Sequence, residues 1–154
     1  MPVAVYLDTS VYNRPFDDQT QPRIWLETLA LSVILQMVEN GDAQLITSTA
    51  VSFETAKNPH IERRLWVQRV LELAAVNIHV TPTIRERAEA LEKDGVKAMD
   101  ALHVACAERI ADVFVTCDDR LIRRYARRTD HTLRAIDPIG FVREWSSQGG
   151  DDEK

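Results

Sequence analysis

The chain has 154 residues, 45% of them hydrophobic and 28% charged, with a formal net charge of −5. That length favours one domain with a sizeable core, and the composition is that of an ordinary soluble globular protein without an apolar run long enough to span a bilayer. The acidic balance argues against a protein that coats nucleic acid by bulk electrostatics, but leaves room for a nucleic-acid enzyme whose site is acidic because it holds metal.

Val3 to Leu7 is an apolar run of strand length that ends at Asp8-Thr9-Ser10. Such a run reads as a buried strand of a parallel sheet, and ligands of such sheets collect at the carboxyl ends of the strands, where Asp8 stands. The strand begins at once, with no signal-peptide pattern before it. Val11 to Gln21, with Asn13, Pro15, Asp17 and Asp18, reads as a polar loop. Arg23 to Glu39 reads as a helix whose apolar residues, Trp25, Leu26, Leu29 and Val33 among them, cover more than one face. It is therefore widely buried or part of a subunit interface, and a homodimer is expected. Asn40-Gly41 stops it.

Ala43 to Thr47 is a second strand, and Ser48 or Thr49 caps a short helix carrying Phe53 and Glu54. Ile61 to Ala75 is a third helix with Leu65, Trp66, Val70, Leu71 and Leu73 as its apolar set, and Asn77 to Val80 is a weak strand. Thr81-Pro82 opens a helix that closes near Gly95, and Lys97 to Ile110 is an amphipathic helix carrying Asp100 and His103. Asp112 to Cys117 is the clearest strand of the second half, followed by Asp118-Asp119 and an arginine-rich helix to about Arg128. Leu133 to Ile136 is a last strand, Pro138 to Trp145 a final helical turn or two, and 146–154 a disordered tail after a single domain over 1–145. Cys106 and Cys117, without Cys-x-x-Cys spacing, read as reduced core thiols, which points to the cytoplasm. Strands alternating with helices imply a three-layer α/β/α sandwich with a mostly parallel central sheet.

Asp8 and Asp118 each end an apolar strand, so they share one sheet edge if the strands are parallel neighbours. Asp100 has small helical neighbours that leave a carboxylate room to reach a cleft, and Glu54 lies in apolar surroundings. Singly, each also fits a cap, a macrodipole partner or a solvated side chain, and Asp119 is expected to cap the arginine-rich helix. Together they would repel and raise one another's pKa unless a divalent cation lay between them. All-oxygen ligation favours Mg2+ or Mn2+ over zinc.

Leu-Asp-Thr-Ser at residues 7–10, Glu54, Asp100-Ala-Leu-His and Val-Thr-Cys-Asp-Asp at 115–119 resemble, in order and context, a PIN-domain ribonuclease. The closest subset is the VapC-like toxins of toxin–antitoxin pairs, and the resemblance runs from Val3 to about Trp145. It implies that Asp8, Glu54, Asp100 and Asp118 bind metal and carry catalysis, that Thr116 supports the site, and that Thr9 or Ser10 assists. It further implies an RNA substrate and an antitoxin partner. The loop from Tyr12 to Asp18 is more polar than the family pattern, and Asp119 makes the last carboxylate ambiguous by one position. The competing reading is a PIN-like RNA-binding or scaffold protein without catalysis. A phosphatase finds no glycine-rich phosphate loop or Asp-x-Asp motif to support it.

Arg120, Arg123, Arg124, Arg127 and Arg128 recur at helical spacing after Asp118 and suit a phosphate backbone, or equally a solvated face with local ion pairs. His103, one turn after Asp100, reads as a partly buried neighbour of the site rather than a ligand.

Overall fold

The computed structural model describes residues 2–152 in backbone and 2–146 in side chain. Five strands form one wholly parallel sheet in the order β3-β2-β1-β4-β5. They are β1 Val3–Leu7, β2 Ala43–Ser48, β3 Val76–Ile78, β4 Val113–Val115 and β5 Arg134–Ile136. The helices are α1 Thr9–Asn13, α2 Pro22–Glu39, α3 Thr49–Ala56, α4 Ile61–Leu71, α5 Pro82–Lys93, α6 Ala98–Ala107, α7 Asp119–Ala126 and α8 Pro138–Asp152. None of the described helices is long and apolar enough to cross a membrane.

The chain steps from β1 outward to β2 and β3, then crosses back over β1 to β4 and β5. Right-handed crossovers in opposite directions put α2 and α6 on opposite faces of the sheet. In agreement, α2 packs with α8, α6 packs with α5, and both α2 and α6 lie against β2. The three-layer sandwich is thus as expected, with a sheet more uniform than "mostly parallel" required. Strand order reverses between β1 and β4, and ligands of open α/β sheets bind at such a switch point. The register pairs Leu7 with Val115, so Asp8 and Thr116 emerge side by side at that point.

Val5, Tyr6 and Leu7 are fully buried, as are Leu45, Phe114 and Val115 on the flanking strands. Residues covered on both faces need no polar alternation, which is why the strands read as continuous apolar runs.

Three expectations are corrected. The segment Val11 to Gln21 is not all loop: α1 runs to Asn13 and a 3₁₀ turn follows at Arg14–Phe16. Its polar composition concealed two anchors. Val11 and Tyr12 are fully buried, and Arg14 reaches inward to the buried Glu27 of α2 at 2.8 Å. In α4 the inward residues are Val67 and Val70, whereas Leu65 is 58% exposed, so the apolar set named from sequence is partly on the wrong face. α4 also ends at Leu71 rather than Ala75. Finally, α8 enters the segment expected as a tail, running as far as Asp152, and the last two residues of that segment lie outside the described residues.

Candidate active site

At the switch point a cavity of about 750 Å3 is lined by Asp8, Glu54, Asp100 and Asp118. These four carboxylates reach it from four elements, and a fifth on its lining, Asp17, is paired with Arg14 and Arg63. Asp8 follows β1, Glu54 lies on α3, Asp100 on the first turn of α6, and Asp118 at the start of α7. The tightest group is slightly different. Ligating atoms of Asp8, Glu54 and His103 lie within 4.8 Å of one another, while Asp100 and Asp118 stand outside that group on the wall of the same cavity.

Three of the carboxylates are held in one pattern, one oxygen tied and the other spare. Asp8 is 4% exposed, and its Oδ2 accepts from Ser10 Oγ and Thr116 Oγ1, both at 2.8 Å. Glu54 Oε1 accepts from Thr9 Oγ1 and lies 2.9 Å from His103 Nε2. Asp118 Oδ1 accepts from the backbone amides of Arg120 and Leu121 at 3.0 and 3.2 Å. Asp8 Oδ1, Glu54 Oε2 and Asp118 Oδ2 have no hydrogen bond among the described residues. Outer-shell donors that tie one carboxylate oxygen and present the other are what a hard cation site requires.

Asp118, not Asp119, is therefore the N-cap of α7, which corrects the expected cap. Asp119 instead pairs with Arg23 through both oxygens, at 2.5 and 2.6 Å, and points away from the carboxylate cavity. Capping and cavity lining are not exclusive in Asp118, because they use different oxygens.

His103 is nearer the chemistry than its sequence position indicated. It is fully buried, and its Nδ1 lies 2.8 Å from the Tyr6 hydroxyl, which lies 2.6 Å from Ser48 Oγ. Ser48 Oγ in turn caps α3 by accepting from the amides of Ala50 and Val51. A continuous chain thus runs from the start of α3 through β1 to Glu54. In either protonation state Nε2 carries the hydrogen given to Glu54, because Nδ1 takes the Tyr6 proton when the ring is neutral and gives its own when it is charged. Burial pushes Glu54 up, but the hydrogen bonds from His103 and Thr9 outweigh it and hold the carboxyl below its usual range. Burial likewise pushes the imidazole down, and Glu54 with the neighbouring carboxylates reverses the sign and raises it. The i+3 spacing from Asp100 was the available sequence signal; Tyr6 and Ser48 left none.

Asp100 has no such donors. Desolvation first, then the charges of Asp8 and Asp118, push its carboxyl up to about 6. Its folded value lies above the unfolded one, near ~3.9. Without metal its contribution to stability is therefore full below about pH 4 and is lost as pH rises through about 6. A divalent ion supplies the charge that removes this penalty. Thermal melts should accordingly show a larger upward shift with Mg2+ at pH 7 than at pH 5, and the difference should shrink in Asp100→Asn. Equal shifts at both pH values in the wild type would place Asp100 outside the ion's reach.

Known proteins share this fold. In solved structures the fold is shared with FitAcB from Neisseria gonorrhoeae, at 18% identity and TM-score 0.54, covering 87% of this chain and 97% of that one. It is shared with VapBC2 from Rickettsia felis, solved with a DNA fragment from their promoter, at 15% identity, TM-score 0.54, 88% and 98% coverage. PAE2754 from Pyrobaculum aerophilum is similar at 18% identity, TM-score 0.58, 95% and 91% coverage. No curated protein matches the chain. A family model, the PIN domain, matches residues 5–128, a stretch that begins inside β1 and carries Asp8, Glu54, Asp100 and Asp118, and the chain belongs to that family.

Proposed function

We propose that the protein is a metal-dependent endoribonuclease, with Asp8, Glu54, Asp100 and Asp118 as both the metal ligands and the catalytic residues. The observation that carries this reading is that three carboxylates lining one cavity each have one oxygen tied by donors and the other without a hydrogen bond among the described residues. PIN-family membership supports a nuclease.

The donor set fits a hard cation, Mg2+ or Mn2+, through Asp8 Oδ1 and Glu54 Oε2, with Asp100 and Asp118 completing the wall. Such an ion supplies activation of water and stabilisation of the departing 3′ oxygen in phosphodiester hydrolysis. The chain's own part is to fix geometry and charge. Ser10, Thr116, Thr9 and His103 tie the opposite oxygens of Asp8 and Glu54 and so fix both carboxylates, and Asp100, on the wall of the same cavity, would orient the attacking water.

The same proposal extends to biology. It takes the protein as a toxin held by an antitoxin protein, in the cytoplasm, as a single PIN-like domain; the fold shared with VapBC2 supports the toxin part of this reading. Trp25, Leu26, Leu29 and Val33 lie exposed along α2, an apolar stripe suited to a homodimer.

Cleavage of end-labelled RNA by the purified protein tests the reading. Products are expected with Mg2+ or Mn2+ and none with EDTA. Cleavage that persists in EDTA would remove the metal from the mechanism. A folded protein that binds RNA and cuts with neither ion would leave the RNA-binding module as the better account.

A further inference from the structure

The carboxylate cavity does not end at Asp100 and Asp118. With Lys97, both also line a second cavity, of about 570 Å3, together with Asp119, Arg120, Arg123 and Arg124. The cations differ in what holds them. Arg124 donates to the Gly95 carbonyl at 2.5 Å. Gly95 has a left-handed φ of +94°, a backbone conformation that favours glycine. Lys97, Arg120 and Arg123 are exposed, and among the described residues no hydrogen bond or ion pair holds their side-chain nitrogens. Asp119, on the same lining, pairs through both oxygens with Arg23 and also feels the charge of Arg123. Arg127 and Arg128 of the same arginine run lie off the cavity, and Arg128 is taken up by Asp130 at 2.8 Å and by Asp94.

We propose that this second cavity is a phosphate subsite. There Lys97, Arg120 and Arg123 hold the backbone of a single-stranded polynucleotide, next to the phosphodiester that meets the carboxylates. This rests on the nuclease reading and adds the path of the strand on one side of the scissile bond. The shared lining makes a ligand in one cavity continuous with a ligand in the other, as a phosphodiester chain is. Guanidinium forks match phosphate oxygens in pairs, and an ammonium group adds a point charge. The recess between α6 and α7 admits a flexible strand, and contacts to phosphate carry no base preference. An acidic peptide would meet the same cations but would bring no phosphodiester to the carboxylates.

The test compares wild type, the triple variant Lys97→Gln/Arg120→Gln/Arg123→Gln and the control Arg127→Gln. Steady-state cleavage of a short single-stranded RNA is measured with Mg2+, and binding of its deoxy counterpart is followed by anisotropy across a salt series. The triple variant should raise KM about tenfold or more while kcat holds, and should flatten the slope of log K against log salt by roughly 2, about 0.7 for each phosphate that is no longer neutralised. Arg127→Gln should match wild type. If the triple variant does not fold, Arg123→Gln alone should lower the slope by about 0.7. Cleavage with unchanged KM and slope in the variants overturns the subsite and leaves the nuclease reading standing. Strand binding that depends on the three cations, in a protein that cuts no RNA, keeps the subsite and overturns the nuclease. Loss of polyglutamate binding with unaltered RNA kinetics assigns the cavity to an acidic peptide and overturns the proposal.

Discussion

Asp8→Asn is expected to abolish RNA cleavage while the protein stays folded. The asparagine carbonyl can keep the hydrogen bonds that Ser10 and Thr116 now give to Oδ2 at 2.8 Å, so the end of β1 has no reason to move. The amide nitrogen then replaces Oδ1, which faces Glu54 and His103, and an amide N–H neither ligates a cation nor carries charge. Loss of an outer-shell partner alone costs about 10–100-fold in metal affinity or activity. Loss of a ligand should exceed that, to no measurable rate in a standard assay. Asp100→Asn should behave alike, since the same cavity loses a second charge. Asp8→Asn has a further signature. The Asp8 charge helps raise the Asp100 carboxyl to about 6, so in the variant its titration, followed by NMR, should fall back toward the ordinary range. Cleavage within tenfold of wild type in folded Asp8→Asn would remove Asp8 from the site.

His103→Leu should weaken divalent-ion binding by about 10–100-fold, the range seen when outer-shell partners of a metal site are removed. The leucine fills the buried space but gives nothing to Glu54 Oε1, which keeps only Thr9, and leaves the Tyr6 hydroxyl with Ser48 as its one neighbour. A buried group deprived of its partner costs about 1–3 kcal/mol of stability, so a lower melting temperature is expected as well. That second effect would follow from any structural role. The discriminating readout is the Mg2+ concentration for half-maximal cleavage, which should rise in His103→Leu and recover in part in His103→Gln, whose amide restores a donor. A lower melting temperature with unchanged Mg2+ dependence would confine His103 to packing.

The carboxylates were legible one by one because each stands where an apolar pattern breaks. Asp8 and Asp118 end strand runs, Asp100 opens an amphipathic helix, and Glu54 interrupts a short apolar one. The arginine run was legible only as composition. From spacing, its residues form one basic face; in the fold, Arg128 is paired with Asp94 and Asp130, Arg124 is held by a backbone carbonyl, and the side chains of Arg120 and Arg123 have no hydrogen bond or ion pair among the described residues. Partners contributed by distant segments cannot be read from the helix that carries the cations. The polar stretch after Ser10 failed for the same reason: Arg14 looks like loop until Glu27, thirteen positions on, is found buried against it.

By itself, then, the sequence determined the alternation of strands and helices and the apolar interior of β1 and β4, because these rest on local periodicity and on residue type; the set of four carboxylates came from the family resemblance. Only the tertiary structure decided how those carboxylates are held. The parallel register of β1 and β4 brings Thr116 beside Asp8, and the crossover that returns the chain past β1 brings His103 under Glu54. Which oxygen of each carboxylate is tied and which is spare is a matter of contacts between residues up to 108 positions apart. Such contacts have no local signature, and they are what gather four acidic residues into one site.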